Sequence, residues 1–153
     1  MKTFFLTFTF LFIAIGITSA QLLEKEDGKY YDHNNQLFNG KYIEYYPSGE
    51  VQIEMNLING EKNGITTLYY KNGQKKEERS FKNNKMDGIW ITWNEAGQKI
   101  AEASYTDGKK DGKWGIWDEN GIQRYEMFYK QGEKTGTWII KNDKGEIIAT
   151  KDY

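Results

Sequence analysis

The chain has 153 residues, 28% of them charged, 38% hydrophobic and 16% aromatic, with 16 glycines, one proline and no cysteine; that is material for one domain. Lys and Arg number 21 against 22 Asp and Glu, a formal charge of -1, so nothing electrostatic draws the chain to nucleic acid or to an anionic membrane surface. Without cysteine there are no disulfides, thiolate nucleophiles or zinc-thiolate sites, and the one histidine, His33, leaves little from which to build an acid-base enzyme.

Residues 1–20 differ from everything after them. Lys2 precedes an apolar run from Phe4 to Ile17, and Thr18, Ser19 and Ala20 offer small side chains before Gln21. This is the pattern of a secretory signal peptide cut after Ala20. The run of about 14 residues is short of the roughly 20 that a spanning helix needs. The chain is therefore expected to be exported, periplasmic or secreted, with no membrane binding once the signal is gone. In the segment 21–39, Lys29-Tyr30-Tyr31 and Gln36-Leu37-Phe38 flank Asp32-His33-Asn34-Asn35, which reads as a degenerate first hairpin.

From residue 40 onward the sequence repeats. Gly40, Gly64, Gly88, Gly112 and Gly136 stand 24 residues apart, and so do Gly49, Gly73, Gly97, Gly121 and Gly145. A third column holds Gly60, Asn84, Gly108 and Gly132, Asn being a residue that tolerates positive φ. Side chains recur too: Tyr42, Thr66, Trp90, Trp114 and Trp138 follow the first glycine, and Glu54, Glu78, Glu102 and Glu126 lie further on. Five tandem units result, 40–63, 64–87, 88–111, 112–135 and 136–153.

Each unit reads as a hairpin. Ile89-Trp90-Ile91-Thr92-Trp93 suits a pleated, half-buried surface, and a turn such as Asp118-Glu119-Asn120-Gly121 places glycine at a left-handed loop position. A second strand such as Gln98 to Tyr105 ends on the column Leu57, Phe81, Tyr105, Tyr129 and Tyr153. A polar loop, Thr106 to Asp111 in one unit, then returns the chain. The glycines of the first two columns are thus expected as structural turn glycines in an all-β, elongated antiparallel meander of 24-residue β-hairpin repeats. Twelve or so strands at about 4.8 Å make a sheet roughly 50 to 60 Å long. Aliphatic residues are scarce, so aromatic cross-strand pairs must supply most of the burial. In the last unit Lys141 and Lys151 replace apolar residues of earlier units, which discourages edge-to-edge association.

The tandem order of Gly-Xaa-Trp/Tyr, an Asn-Gly or similar turn, Glu, Tyr and a polar Asp-Gly turn resembles the bacterial variant of the MORN repeat (membrane occupation and recognition nexus). Gly88 to Asp111 and Gly112 to Thr135 match best, and the likeness covers residues 28–153. The resemblance implies a β-hairpin array, and many bacterial proteins of this kind are described as antitoxin-like components of toxin-antitoxin or immunity systems.

The glutamate column is not expected to be catalytic or metal-binding, because its members stand two strands, about 9.5 Å, apart. The Asp-Gly pairs lack the alternating spacing of a calcium loop, and His33 has no nucleophile or carboxylate at a recognisable spacing. No catalytic residue, cofactor or metal is expected. The aromatic columns are the candidates: Tyr42, Trp90, Trp93, Trp114, Trp117 and Trp138 form a candidate binding platform, since exposed Trp and Tyr anchor protein partners or stack on sugars. Alternation sends Trp90 and Trp93 to opposite faces. The expected function is that of an exported, non-catalytic protein-binding scaffold, with a toxin as the family-level partner. A cell-envelope glycan is the alternative ligand.

Overall fold

The computed structural model describes residues 22–153, and the signal assigned to residues 1–20 lies outside them. Among the described residues every regular element is a strand. A two-stranded piece, β1 (Leu23–Glu24) and β2 (Tyr30–Tyr31), precedes one antiparallel sheet. Its strands are β3 (Gly40–Tyr45), β4 (Val51–Ile58), β5 (Glu61–Lys62), β6 (Gly64–Tyr69), β7 (Lys75–Lys82), β8 (Lys85–Trp93), β9 (Lys99–Thr106), β10 (Lys109–Trp117), β11 (Gln123–Lys130), β12 (Glu133–Lys141) and β13 (Ile147–Asp152). They pair in sequence order, β5 being the short broken start of the strand that β6 continues. The antiparallel meander of hairpin repeats is what forms. Ten strands lie in line, a ribbon about 43 Å across its strands.

Two turn chemistries fold the ribbon. In the wider turns the chain closes over a left-handed glycine: Gly121, at φ 78, donates its amide to the Asp118 carbonyl at 3.0 Å. The Asp118 carboxylate accepts from the amides of Asn120 and Ile122, each at 3.0 Å, as short Asx side chains do in turns. Asn94 and Asn142 act likewise in their own units. The return turns are tighter than the sequence suggests. Asp107 and Gly108 have φ of 51 and 80, both positive, as in the two-residue hairpin turn whose twist matches its strands. Thr106 ends one strand and Lys109 begins the next, so the expected loop Thr106 to Asp111 contracts to two residues.

The first glycine column needs a correction. Gly88, Gly112 and Gly136 lie inside β8, β10 and β12, and Gly40 and Gly64 open β3 and β6; none of the five closes a turn. At Gly112, with φ 104, pairing to β9 jumps from Lys110↔Tyr105 to Trp114↔Ala103. That is an irregular bulge in a strand, which demands a residue free to take positive φ. Gly49, Gly73, Gly97, Gly121 and Gly145 are the glycines that close the wider turns.

Alternation sorts the side chains. On β9, Tyr105 and Ala103 share a face and Glu102 points to the other. Repetition every two strands turns this into an aromatic face and a glutamate face. The most enclosed packing sits on the aromatic face at the start of the sheet, where Tyr30, Met55 and Leu57 are 9%, 3% and 1% exposed and Leu22, Phe38 and Tyr42 pack around them. Burying a Leu or Met there stabilises by roughly 1.5 to 3 kcal/mol. The covering residues come from the segment before the repeats. Its backbone is tied down by Tyr30 N to Gly60 O at 2.9 Å and Gly60 N to Phe38 O at 2.8 Å, and Asn84 Nδ2 donates to Gly28 O at 2.8 Å. Tyr31 and Leu37 form a single bridge of the hairpin read at 29–38.

Candidate functional site

The aromatic face carries a continuous ladder of rings. Trp90 lies 6.1 Å from Tyr105, Tyr105 5.3 Å from Trp114, Trp114 5.2 Å from Tyr129, Tyr129 5.3 Å from Trp138, and Trp138 4.6 Å from Tyr153, all tilted. These separations fall in the range in which ring pairs attract beyond simple burial. The ladder forms because Trp follows the bulge glycine in β8, β10 and β12, and Tyr stands near the end of β9 and β11. Cross-strand register brings the two columns side by side. Two indoles are anchored as well: Trp114 Nε1 donates to Ser104 O and Trp138 Nε1 to Phe128 O, each at 3.1 Å.

Cations lie on these rings. The Arg79 guanidinium is 4.5 Å from the Trp90 ring, Lys110 is 4.3 Å from Trp114 and 4.8 Å from Tyr129, and Lys134 is 4.7 Å from Trp138 and 4.8 Å from Tyr153. Such contacts are worth about 0.5 to 1 kcal/mol where water has access. Lys62, Lys110 and Lys134 are themselves a 24-residue column, with Met86 in the place between. Its spacing is broken once, at Met86. The electrostatics show in the phenols: burial pushes the Tyr105 hydroxyl above its ordinary pKa, whereas at Tyr153 the upward pull of burial is outweighed by Lys151 and Lys134, which lower it.

The opposite face is charge-matched. Lys41 pairs with Glu54 at 3.2 Å, Lys75 with Glu78 at 2.5 Å, Lys99 with Glu102 at 2.9 Å and Lys113 with Glu126 at 3.0 Å. Each column glutamate therefore has its own lysine. Lys75 also lies 5.9 Å from the Trp93 ring and Lys99 4.1 Å from Trp117, which puts Trp93 and Trp117 on this side.

The six platform residues are thus divided. Trp90, Trp114 and Trp138 share the ladder, Trp93 and Trp117 stand on the glutamate face, and Tyr42 packs into the core cluster beneath the segment before the repeats. Two concavities open along the ladder. One of about 570 Å³ is lined by Met127, Trp138, Ile140, Tyr153, Tyr125 and Ile116 among others; the second, of about 150 Å³, lies between Trp90, Tyr105 and Trp114. Ile116 and Tyr125 are each 42% exposed. Concave, mainly apolar surface of this kind is where ligands and partners settle on folded proteins. Among the described residues no group of three His, Cys, Asp or Glu side chains is placed to hold a metal ion.

Compared with protein-family models, residues 38–59, 62–83 and 86–107 match the MORN repeat variant. Each matched stretch starts two residues before a first-column glycine, close to where the strands begin. No curated protein matches the chain.

Proposed function

We propose that this chain, which matches the MORN repeat variant over residues 38–59, 62–83 and 86–107, is an exported, non-catalytic scaffold that holds a protein partner on the aromatic face of its repeats. The observation that carries this reading is the ladder from Trp90 to Tyr153, apolar and concave, beside a glutamate face whose charges are internally matched. Trp and Tyr are the residues from which interface hot spots are built. Tagged Gln21–Tyr153, used on cell-envelope extracts at mild salt, is expected to retain one specific protein, and Trp114→Ala with Trp138→Ala is expected to release it. Retention of nothing specific, or retention indifferent to both changes, would sink the reading. Its narrower form is an immunity or antitoxin role, in which co-expression rescues growth from a toxin encoded next to this chain; failure to rescue removes it.

A second reading rests on Trp93 and Trp117, half-buried rings that recur two strands apart on the glutamate face. That spacing suits stacking on a polysaccharide. Envelope glycan fragments that change tryptophan emission, with the change lost in Trp93→Ala and Trp117→Ala, would favour it over a protein partner.

A further inference from the structure

Building on the scaffold reading, we propose that the aromatic face between β8 and β13 receives an extended acidic polypeptide segment that seats an aromatic ring beneath Lys110 or Lys134.

The chain itself displays this mode of covering. At the start of the sheet the segment 22–38 lies on the same face and seats Tyr30 against Met55 and Leu57, with the Lys62 ammonium 5.3 Å from the Tyr30 ring. Three parts of that seat recur in one register, 72 residues on. Lys62 becomes Lys134, Met55 becomes Met127 and Leu57 becomes Tyr129, with Lys110 one period before Lys134. The covering segment is acidic, since Glu24, Glu26, Asp27 and Asp32 outnumber Lys25 and Lys29 for a net of -2. At the far end none of the described residues forms such a cover, and Ile116 and Tyr125 stand 42% exposed beside the 570 Å³ concavity.

Charge decides which occupant fits. On the glutamate face, Lys41, Lys75, Lys99 and Lys113 each pair with a carboxylate. Among the described residues none lies within salt-bridge distance of Lys110, Lys134 or Lys151. A second copy laid face to face would set these ammoniums against their own kind, which is repulsive. A segment bearing carboxylates would neutralise them while its ring fills the apolar hollow. The register of the occupied seat places that ring beside Met127 and Tyr129.

Intrinsic fluorescence reports on the right half of the molecule, because all five tryptophans lie in β8, β10 and β12. The probe is a synthetic peptide of residues Leu22–Phe38, added to full-length mature chain. A saturable emission change is expected, weakened about tenfold or more by Lys110→Glu with Lys134→Glu and by raised salt. It should be weakened similarly when the four carboxylates of the peptide are replaced by amides, or when both its tyrosines become Ala. Lys144→Glu, in an exposed turn away from the face, should bind within about twofold of the parent, since a distant surface charge is screened. Circular dichroism checks that the reversed chain is folded, and Lys134→Gln, which removes charge without reversing it, should give an intermediate loss. Absence of a saturable change, or one that survives the double reversal in folded protein, overturns the proposal. A concentration-dependent dimer with no peptide response also overturns it, by placing a second copy there. Should an extract protein be retained through Trp114 and Trp138 while the peptide does nothing, this inference falls and the scaffold reading stands.

Discussion

A single indole nitrogen separates Trp90 from its successors in the column. Trp114 and Trp138 each donate to a backbone carbonyl, whereas Trp90 Nε1 is buried with no acceptor among the described residues. A buried donor without a partner costs about 1 to 3 kcal/mol, and a satisfied one contributes about 0.5 to 1.5 kcal/mol net. Phenylalanine keeps a ring in place and deletes only the N–H and part of the area. Trp114→Phe should therefore destabilise the chain by about 1 to 2 kcal/mol more than Trp90→Phe in urea unfolding. Equal losses would mean that the N–H contributes nothing in either place. The ring columns themselves were legible in the sequence, because Trp and Tyr are rare enough for regular spacing to stand out. The lysines above them were not: with 21 basic residues in the chain a basic column has no contrast, and Met86 interrupts it.

At the scale of the hairpin, spacing located the glycines but could not say what each one does. Gly112 sits at a bulge with φ 104, where an added methyl would stand 3.0 Å from Ser104 Cβ, whereas Gly121 closes a turn at φ 78 with open space around it. Both conformations penalise an L side chain, but only the first adds a clash with a packed neighbour. Gly112→Ala should cost about 2 to 4 kcal/mol and Gly121→Ala about 1 to 2 kcal/mol, read from thermal unfolding of the two variants. The return turns were misread for a related reason. Left-handed Asn, Asp and Gln residues start them, so four residues that looked like loop belong to strands. Asp118 carries a pH signature of the wider turn. Burial pulls its carboxyl up, but the amides of Ile122 and Asn120 and the Arg124 guanidinium outweigh that and hold it below the usual 3.8. A carboxyl lowered in the folded state stabilises fully above 3.8, and that contribution disappears as pH falls through the lowered value. Asp118→Asn retains an oxygen acceptor, as Asn94 and Asn142 show in their units. It should flatten the loss of stability below pH 3.8 while leaving the turn closed, and an unchanged acid limb would remove this account.

For the whole molecule, the decisive fact is that the strands of the main sheet, β5 and β6 counted as one, pair with their neighbours in sequence. Removing residues 88–111 would join Asp87 to Gly112 and return each side chain to its own face. The shortened chain is expected to keep its β circular dichroism and lose two strands' worth of stability, as in other repeat arrays. Deleting 88–110 instead moves every later side chain by one place and should prevent the distal hairpins from packing; equal behaviour of the two deletions would contradict the faces assigned above. The segment 22–38 was the part of the molecule least legible beforehand, since it occurs once and no column exists in which to recognise its role as a cover. Pairing by adjacency also governs mechanics. Tension applied across the ribbon, from the β3 edge to the β13 edge, loads the hydrogen bonds of each seam along their own direction. Such a fabric gives way by peeling, one row after another at modest force, and a single-molecule trace should show a staircase with risers of 24 residues or fractions of it.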